Sequence, residues 1–313
     1  MKINNQTENC FSSSGNGLSL NKLLEELSFP GVIEFAVKKN IFRKNIAEIA
    51  ASAYFGEDFN FALCRRMPMT RLTVITFLLL QKYGEYKAKG VSDRIIYDTF
   101  KDVSPRACLY YTRTGKVGIS KEDVIWFRHI MNVNIFKIGS LQFQPFEMVY
   151  LDEETIGEPY MTFDTEQKAK LPSGTPVINC HIQKGADLTP CIVQQSMDSA
   201  KSFFQTHFCE KQFLAFLCYS WLLYPPMTKQ LSMQSNIRLF AKRFSIIGYC
   251  DDSTQAKEYL FEGRQRPEAD KMTSLQKMAV NHIERFGFAC GIISLLKNPN
   301  PQKGRSSIEE IRR

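Results

Sequence analysis

Residues 18–131 carry apolar side chains at the three- and four-residue spacing that is typical of helices. Within them, Met69–Tyr83 is largely apolar, as expected of a helix at the centre of a domain. Ser120 precedes Asp123 and an apolar run, which is a capping-box-like helix start. This part of the chain shows no convincing strand pattern, so we predict an all-α domain.

The pattern changes after Gly139. Residues 141–150 alternate between apolar and polar side chains, and Pro145 indicates an edge strand or a bulge. Residues 152–176 are polar and contain glycine and proline, so they are expected to be a long connection. The other predicted elements are strands at 176–182, 213–218, 237–249 and 288–296, and helices from Thr189-Pro190, at 220–229, and from Thr273 or Ser274 to Phe286. The expected fold class is therefore α+β, with an N-terminal all-α helical domain followed by a mixed β-sheet domain flanked by helices.

The length of 313 residues suggests about two domains. Residues 1–17 are polar and are predicted to be a disordered leader. The helical domain is expected at 18–139, the sheet domain at 140–296 and a basic tail at 297–313. With 44% hydrophobic and 23% charged residues the composition is ordinary for a globular protein, which excludes a wholly disordered chain.

Targeting and metal-binding signals are missing from the sequence. The longest apolar stretch, Leu72–Leu80, is far shorter than the ~20 residues that cross a bilayer, and the first residues lack the apolar part of a secretory signal. The nine cysteines form no CxxC pair and no Cys/His cluster at zinc spacing. We therefore expect a cytoplasmic protein with reduced thiols, no metal and no membrane attachment.

The net charge of +8 is unevenly distributed. Residues 1–140 hold 20 Lys and Arg against 13 Asp and Glu, whereas residues 141–296 hold 15 against 17. A basic first half is compatible with a nucleic-acid partner. Its cations are scattered, however, and no helix-turn-helix pattern accompanies them, so specific nucleic-acid binding is not favoured.

The order strand, glycine-containing loop, helix, strand, helix, strand over residues 176–249 is similar to the central part of the GNAT acyltransferase fold. Further strings extend the resemblance to roughly residues 20–295. They are Val91–Asp102, Ile138–Phe143, Asn179–Ile182, Cys218–Leu223 and Ser235–Ile237. Together they resemble a bacterial family that joins a helical N-acyltransferase N-terminal domain to a GNAT-like C-terminal domain. The resemblance implies acyl transfer from acetyl-CoA or another acyl-CoA to an amine.

In GNAT proteins the strand–loop–helix unit grips the pyrophosphate of acyl-CoA. The resemblance assigns this role to Gln183, Lys184, Gly185, Ala186 and Thr189. A glycine before a helix lets backbone N–H groups approach a phosphate, and the helix start adds partial positive charge. The usual loop reads Gln/Arg-x-x-Gly-x-Gly/Ala, of which this chain keeps only part, and Asp187 adds a negative charge. An ordinary strand-to-helix turn therefore stays an alternative.

His181 is the main catalytic candidate, because an imidazole that titrates near neutral pH can take the proton of an amine. A structural, hydrogen-bonded histidine is the alternative. The resemblance implies that Tyr219 or Ser220 donates a proton to the departing thiolate, although both could simply pack on the sheet. Glu147 is a second candidate base if the sheet brings it toward His181.

The expected function is that of an acyl-CoA-dependent N-acyltransferase with a small-molecule or peptide amine acceptor. The alternative is a non-catalytic ligand-sensing or regulatory protein, with a degenerate GNAT-like domain and a basic helical domain. The incomplete glycine loop is compatible with this alternative.

Asp98 and Asp102 share a predicted helix face, and we assign them to an interdomain contact with Arg or Lys rather than to chemistry.

Overall fold

The computed structural model describes residues 17–261, 268 and 270–296. Apart from Gly17, the predicted leader and the predicted basic tail lie outside these residues. A helical region followed by a six-stranded mixed sheet confirms the α+β prediction. Within the described part of the chain, no helix combines the length and the apolar character that a membrane span needs.

Seven α-helices precede the sheet in the described residues. Helix α4 lies at their centre, as predicted, and it contacts α2, α3 and α7. It begins at Pro68, where the missing N–H leaves no helical hydrogen bond unmade. The predicted capping box of Ser120 and Asp123 starts α7. The helices are α1 (Leu20–Leu27), α2 (Gly31–Ile41), α3 (Lys44–Ala51), α4 (Pro68–Ala88), α5 (Asp93–Phe100), α6 (Val103–Thr114) and α7 (Lys121–Met131).

The sheet has the strand order β1-β2-β3-β4-β6-β5. Strands β3 and β4 are parallel, and all other neighbouring strands are antiparallel. The strands are β1 (Phe136–Ile138), β2 (Leu141–Glu147), β3 (Pro176–His181), β4 (Ala215–Ser220), β5 (Ser245–Cys250) and β6 (Phe288–Ser294). The sheet thus begins with β1, on the N-terminal side of the boundary expected at residue 139.

Six further helices lie between or beside the strands in the described residues. Helix α9 follows β3 and has Thr189 at its N-cap position and Pro190 in its first turn, as predicted, but the Thr189 hydroxyl makes no capping hydrogen bond. Helix α13 starts with a capping box of Thr273 and Gln276. The helices are α8 (Thr165–Lys170), α9 (Pro190–His207), α10 (Pro225–Gln230), α11 (Asn236–Ala241), α12 (Thr254–Phe261) and α13 (Ser274–Asn281).

Several predicted elements differ from the structure. The strand expected at 237–249 is helix α11 followed by β5, because the apolar residues of 236–241 recur at helical spacing and α11 buries Phe240 and Ala241. The connection at 152–176 contains α8, which Asp164 caps with its side chain. The last helix ends at Asn281, and a 3-10 turn follows it before β6.

Both faces of the sheet are buried. On one face, Phe143, Ile178 and Phe216 belong to the same continuous core as the central helix α4 and helix α9. On the other face, Val177 and Leu217 pack against the segment that connects β2 to β3. The helical region and the sheet therefore share a core rather than meeting across a solvated surface.

Candidate functional site

His181 is the last residue of β3 and lies directly opposite Gln142 of β2. Its imidazole Nε2 is 3.0 Å from Oε1 of Gln144. The ring also packs edge-on against the indole of Trp126, with the ring centroids 5.1 Å apart. Because Trp126 belongs to α7, both the helical region and the sheet build the surroundings of His181.

Gln144 joins His181 to a second histidine. Its side chain is buried, and its Nε2 lies 3.1 Å from Nδ1 of His129. The centroids of the two imidazole rings are 6.5 Å apart. Trp126 and His129 are three residues apart on α7 and therefore share one face of this helix, which presents both rings to the end of β3.

Asp102 holds this cluster together from the start of α6. Only 4% of its surface is exposed. Its carboxylate accepts hydrogen bonds from Trp126 Nε1 at 2.6 Å, from Arg106 Nε at 3.2 Å and from Gln142 Nε2 at 3.5 Å. A buried carboxylate with a charged partner and an indole donor fixes the position of Trp126, and with it one wall of the site.

The structure agrees with an interdomain role for Asp98 and Asp102. Asp102 joins the helical region to the sheet through a hydrogen bond from the Gln142 amide. The charges of both carboxylates also act on Lys137 of β1. Asp98 lies four residues earlier, is half-exposed and also faces Arg94 of its own helix at 3.9 Å.

Burial lowers the pKa of both histidines. The pKa of His181 falls to about 4, mainly because burial disfavours the cation and also because Arg128 is positive. The pKa of His129 falls to about 3 for the same two reasons, with a further contribution from His181. The expectation that His181 titrates near neutral pH is therefore wrong. At pH 7 both rings are neutral, which is the form that accepts a proton.

Tyr219 and Ser220 are the last two residues of β4. Because Asn179 and Leu217 are paired, Tyr219 projects from the same face of the sheet as His181, on the adjacent strand. Its hydroxyl donates a hydrogen bond to the carbonyl of Val149, and burial raises its pKa well above the usual range, so the phenol stays protonated. The Ser220 hydroxyl is buried and accepts a hydrogen bond from the backbone N–H of the 3-10 turn that follows.

The register separates Glu147 from His181. Glu147 pairs with Pro176 at the start of β3, whereas His181 ends this strand, so five residues and about 17 Å lie between them. Glu147 is also exposed.

A different carboxyl, that of Glu158, comes closer to the strand ends. Burial raises the pKa of Glu158 to about 7, and its charge contributes to the raised pKa of Tyr219.

Residues 183–186 form a turn closed by a backbone hydrogen bond of 3.0 Å. Gly185 has a φ of 78°, which glycine adopts without steric cost. Oδ1 of Asp187 accepts the backbone N–H of Thr189 at 2.8 Å, and hydrogen bonds from Thr189 lower the pKa of Asp187. The carboxylate of Asp187 therefore occupies part of the helix start that the sequence analysis assigned to the pyrophosphate of CoA.

A cation that the sequence did not single out also lies at the start of α9. Arg243, which follows α11, donates hydrogen bonds to the carbonyl of Pro190 at 2.7 Å and to Oε1 of Gln194 at 2.5 Å. Together with Lys184 on the preceding turn, Arg243 places a second cation near the carboxylate of Asp187.

No cluster of three or more His, Cys, Asp or Glu residues in the described part of the chain has the geometry for a metal ion. Cys180 and Cys218, on neighbouring strands, are buried free thiols. A hydrogen bond between them, together with burial, raises the pKa of Cys218 well above its ordinary value. The Cys218 thiol therefore stays protonated and does not act as a thiolate nucleophile.

The mixed sheet with two parallel central strands and the strand–turn–helix unit at β3 and α9 are the arrangement expected of the GNAT-like class of acyltransferases. Two family models match consecutive parts of the chain. The N-acyltransferase N-terminal domain matches residues 39–133, and the GNAT-like C-terminal domain matches residues 135–292. The chain belongs to the family that these two domains define, and the predicted acyl-CoA-dependent acyltransferase class is confirmed. The bacterial origin and the cytoplasmic location stay predictions.

Several solved structures share the fold. An acyltransferase in complex with decanoyl-CoA and teicoplanin is 16% identical with a TM-score of 0.65, and the match covers 90% of this chain and 89% of that chain. An acyltransferase in complex with CoA and 10C-teicoplanin is 16% identical with a TM-score of 0.67 and the same coverage. An acyltransferase mutant in complex with octanoyl-CoA is 16% identical, with a TM-score of 0.67 and 88% of each chain covered. No curated protein sequence matches the chain.

Proposed function

We propose that the chain transfers an acyl group from an acyl-CoA thioester to an amine of a small-molecule or peptide acceptor. The observation that carries this proposal is the neutral imidazole of His181 at the end of β3, on the face it shares with Tyr219 and next to the turn that starts α9. The similar structures support it, since they are complexes with decanoyl-CoA, octanoyl-CoA or CoA, and two of them also hold teicoplanin or 10C-teicoplanin.

His181 is the proposed general base. Its pKa of about 4 keeps the ring unprotonated at neutral pH. The N–H of the acceptor becomes more acidic as its nitrogen bonds to the thioester carbon, so a weak base is sufficient at that moment. The C–N bond forms, and the proton passes to the imidazole.

Tyr219 is the proposed acid for the leaving group, with Ser220 as the alternative donor. When the C–S bond breaks, its electron pair remains on the sulfur as the CoA thiolate. The thiolate takes the phenolic proton, and the phenolate regains a proton that His181 releases through solvent. The raised pKa of Tyr219 keeps the phenol protonated before the step, as an acid requires, and it also means that the phenolate must be reprotonated at once.

The turn of residues 183–186 and Thr189 are proposed to hold the pyrophosphate of CoA. Backbone N–H groups at the helix start and the charge of Lys184 favour an anion there. Arg243 adds a second cation beside the first turn of α9. Asp187 opposes this binding, so the affinity depends on the two cations outweighing its carboxylate.

The proposal is tested by calorimetry with acetyl-CoA, octanoyl-CoA and decanoyl-CoA, followed by release of free CoA thiol with a series of primary amines. We expect binding of at least one acyl-CoA and thiol release that requires the amine. The matched alcohols serve as control acceptors and should give none. Absence of binding to all three thioesters contradicts the proposal. Binding without amine-dependent thiol release would instead favour the ligand-sensing alternative.

A further inference from the structure

The chemical state of His181 follows from what its Nε2 contacts. We propose that Gln144 and His129 hold His181 as the tautomer protonated on Nε2, which leaves Nδ1 as the atom that accepts the proton. The catalytic part of this inference rests on the proposed function, whereas the tautomer itself does not. Gln144 is then a positioning residue, because it acts only through His181.

The side-chain amide of Gln144 determines which nitrogen of each imidazole carries the proton. Its Oε1 carries lone pairs only, so a hydrogen bond with His181 Nε2 at 3.0 Å requires the proton to be on Nε2. Its Nε2 carries two protons, so His129 Nδ1 at 3.1 Å must be the acceptor. His129 is therefore neutral and protonated on Nε2. For His181 the hydrogen bond places a proton on Nε2, and the lowered pKa of the ring leaves Nδ1 unprotonated at pH 7.

The Gln144 side chain bridges the two imidazoles, and it is held rigidly. Gln144 is 4% exposed, and its backbone pairs with Asn179 in the ladder between β2 and β3. His129 is held against Trp126 by an edge-on ring contact with centroids 5.4 Å apart. Both ends of the bridge are thus fixed by packing, and the amide has little freedom to leave the two imidazoles.

Nδ1 of His181 is the atom that is left to accept the proton of the amine. Nδ1 of His181 has no hydrogen-bond partner among the residues that the structure describes. It can therefore receive a proton while Nε2–H continues to donate to Gln144. The amide oxygen also stabilises the imidazolium that forms, because a hydrogen bond from a charged donor is stronger than one from a neutral donor.

The opposite orientation of the Gln144 amide would reverse both tautomers. His181 would then be protonated on Nδ1, and its lone pair would point at Gln144 instead of outward. The two arrangements differ in which nitrogen carries the proton, and ¹⁵N NMR measures that directly. The chain has four histidines, so a sample labelled with [¹⁵N]histidine gives only four ring systems.

The full-length chain at pH 7 is the sample. We expect His181 and His129 to show a pyrrole-type Nε2 and a pyridine-type Nδ1. His207 is an internal reference of the opposite kind, because its Nδ1 lies 3.1 Å from the carbonyl of Lys89, which can only accept. The signals are assigned from the spectra of His129→Gln, His181→Gln and His207→Gln. A pyridine-type Nε2 at His181 overturns the proposal, and it does so without any activity measurement.

Variants then link the tautomer to turnover. Gln144→Leu removes the acceptor, so we expect a mixture of His181 tautomers and a kcat lowered by about 10- to 100-fold with the KM for acyl-CoA unchanged. Gln144→Glu keeps an acceptor for Nε2–H and should restore the single tautomer and part of kcat. Gln142→Leu is the matched control, because it removes a buried glutamine of the same strand and face that bonds Asp102 instead of a histidine. It should leave the His181 tautomer unchanged.

The failures of the two proposals are distinguishable. If His181 shows the expected tautomer but no acyl-CoA binds, the proposed function fails and the bridge stands. If the enzyme is active and Gln144→Leu retains both the single tautomer and full kcat, the bridge has no positioning role. Equal losses in Gln144→Leu and Gln144→Glu would show that the glutamine supports the fold rather than the tautomer.

Discussion

Strand β3 ends in two adjacent regions that are built differently, the imidazole cluster around His181 and the turn of residues 183–186. The cluster takes its contacts from residues far away along the chain, with Trp126 and His129 on α7 and Gln144 on β2. The turn takes its shape from a local hydrogen bond, the positive φ of Gly185 and the start of α9. One region depends on how the helical part packs on the sheet, and the other depends mainly on neighbouring residues.

This difference predicts how each region responds to change. A buried cluster with mutual partners loses several interactions when one side chain is removed, because the remaining polar groups stay buried. An exposed turn loses little more than the charge or the contact that was changed. The experiments below test this contrast, beginning with the largest expected effect.

His181→Gln should have the largest effect. Glutamine preserves one hydrogen bond but cannot take a proton, so we expect kcat to fall by a factor of about 10² to 10⁴ while acyl-CoA affinity is retained. The wild type should show an activity limb that rises through the His181 pKa of about 4, and the variant should lack it. Thiol-release rates from pH 4 to 8 provide the measurement. A stable variant with full activity would exclude His181 as the base.

Asp102→Ala tests how much of the cluster depends on one buried carboxylate. The change leaves the Trp126 indole and Arg106 without this acceptor, and we expect the free energy of unfolding to fall by about 2–4 kcal/mol. Arg106 keeps Asp123 at 2.9 Å, which limits the loss. Asp98→Ala is the matched control on the same stretch of chain, and its exposed pair with Arg94 should contribute less than about 0.5 kcal/mol. Urea unfolding of both variants measures the difference, and equal losses would contradict it.

The lowered pKa values of the histidines predict a pH dependence of stability. The unfolded chain binds protons at its histidines near pH 6.5, whereas folded His181 binds one only near pH 4. The unfolded state therefore gains more protons as the pH falls, and stability is lost from about pH 6.5 downward. Between pH 7 and 5 the loss is at most about 2 kcal/mol for each such histidine.

This dependence is measured as the difference between the wild type and His181→Gln in urea unfolding at pH 7 and pH 5. The variant should lose less stability than the wild type over that range. His282→Gln, at an exposed histidine beside Glu284, is the control and should follow the wild type. The same pH slope in all three proteins would show that burial does not hold His181 neutral.

Lys184→Glu should give the smallest of these effects, and it concerns the turn alone. Reversing one charge beside the proposed pyrophosphate site should weaken acyl-CoA binding by about tenfold, equivalent to about 1.4 kcal/mol, without altering the unfolding midpoint. Lys211→Glu, at an exposed lysine beyond the other end of α9, is the control and should leave affinity unchanged. Calorimetry at low and high salt provides the measurement, and equal affinities for the two variants would remove the turn from the site.

Much of the fold could be predicted because its signals are local. The capping box at Ser120, the Thr189-Pro190 helix start and the strand after Gly139 depend on a few neighbouring residues, and the structure has all three. The strand expected at 237–249 was wrong because short apolar runs fit a helix and a strand equally well. Packing decides between them, and here it buries Phe240 and Ala241 on a helix.

The candidate site was only partly predictable for a similar reason. His181 was identified from the chemistry of its imidazole and Tyr219 from the family resemblance, while Trp126, His129 and Gln144 were missed. A signal for Trp126 and His129 existed, since these two residues lie three positions apart on a helix whose start was recognised. Nothing local showed that this face of α7 meets β2 and β3, because His129 lies 15 residues before Gln144 and Trp126 lies still farther along the chain from His181.

The sequence by itself determined the α+β order, the main helix starts and the place of His181 at the end of β3, since periodicity and capping act over a few residues. Only the tertiary structure decided that His181 is neutral, that Gln144 and His129 bond to it, and that Glu158 rather than Glu147 approaches the strand ends. These properties depend on burial and on strand register. Both arise when distant segments pack together, so no local pattern of residues specifies them.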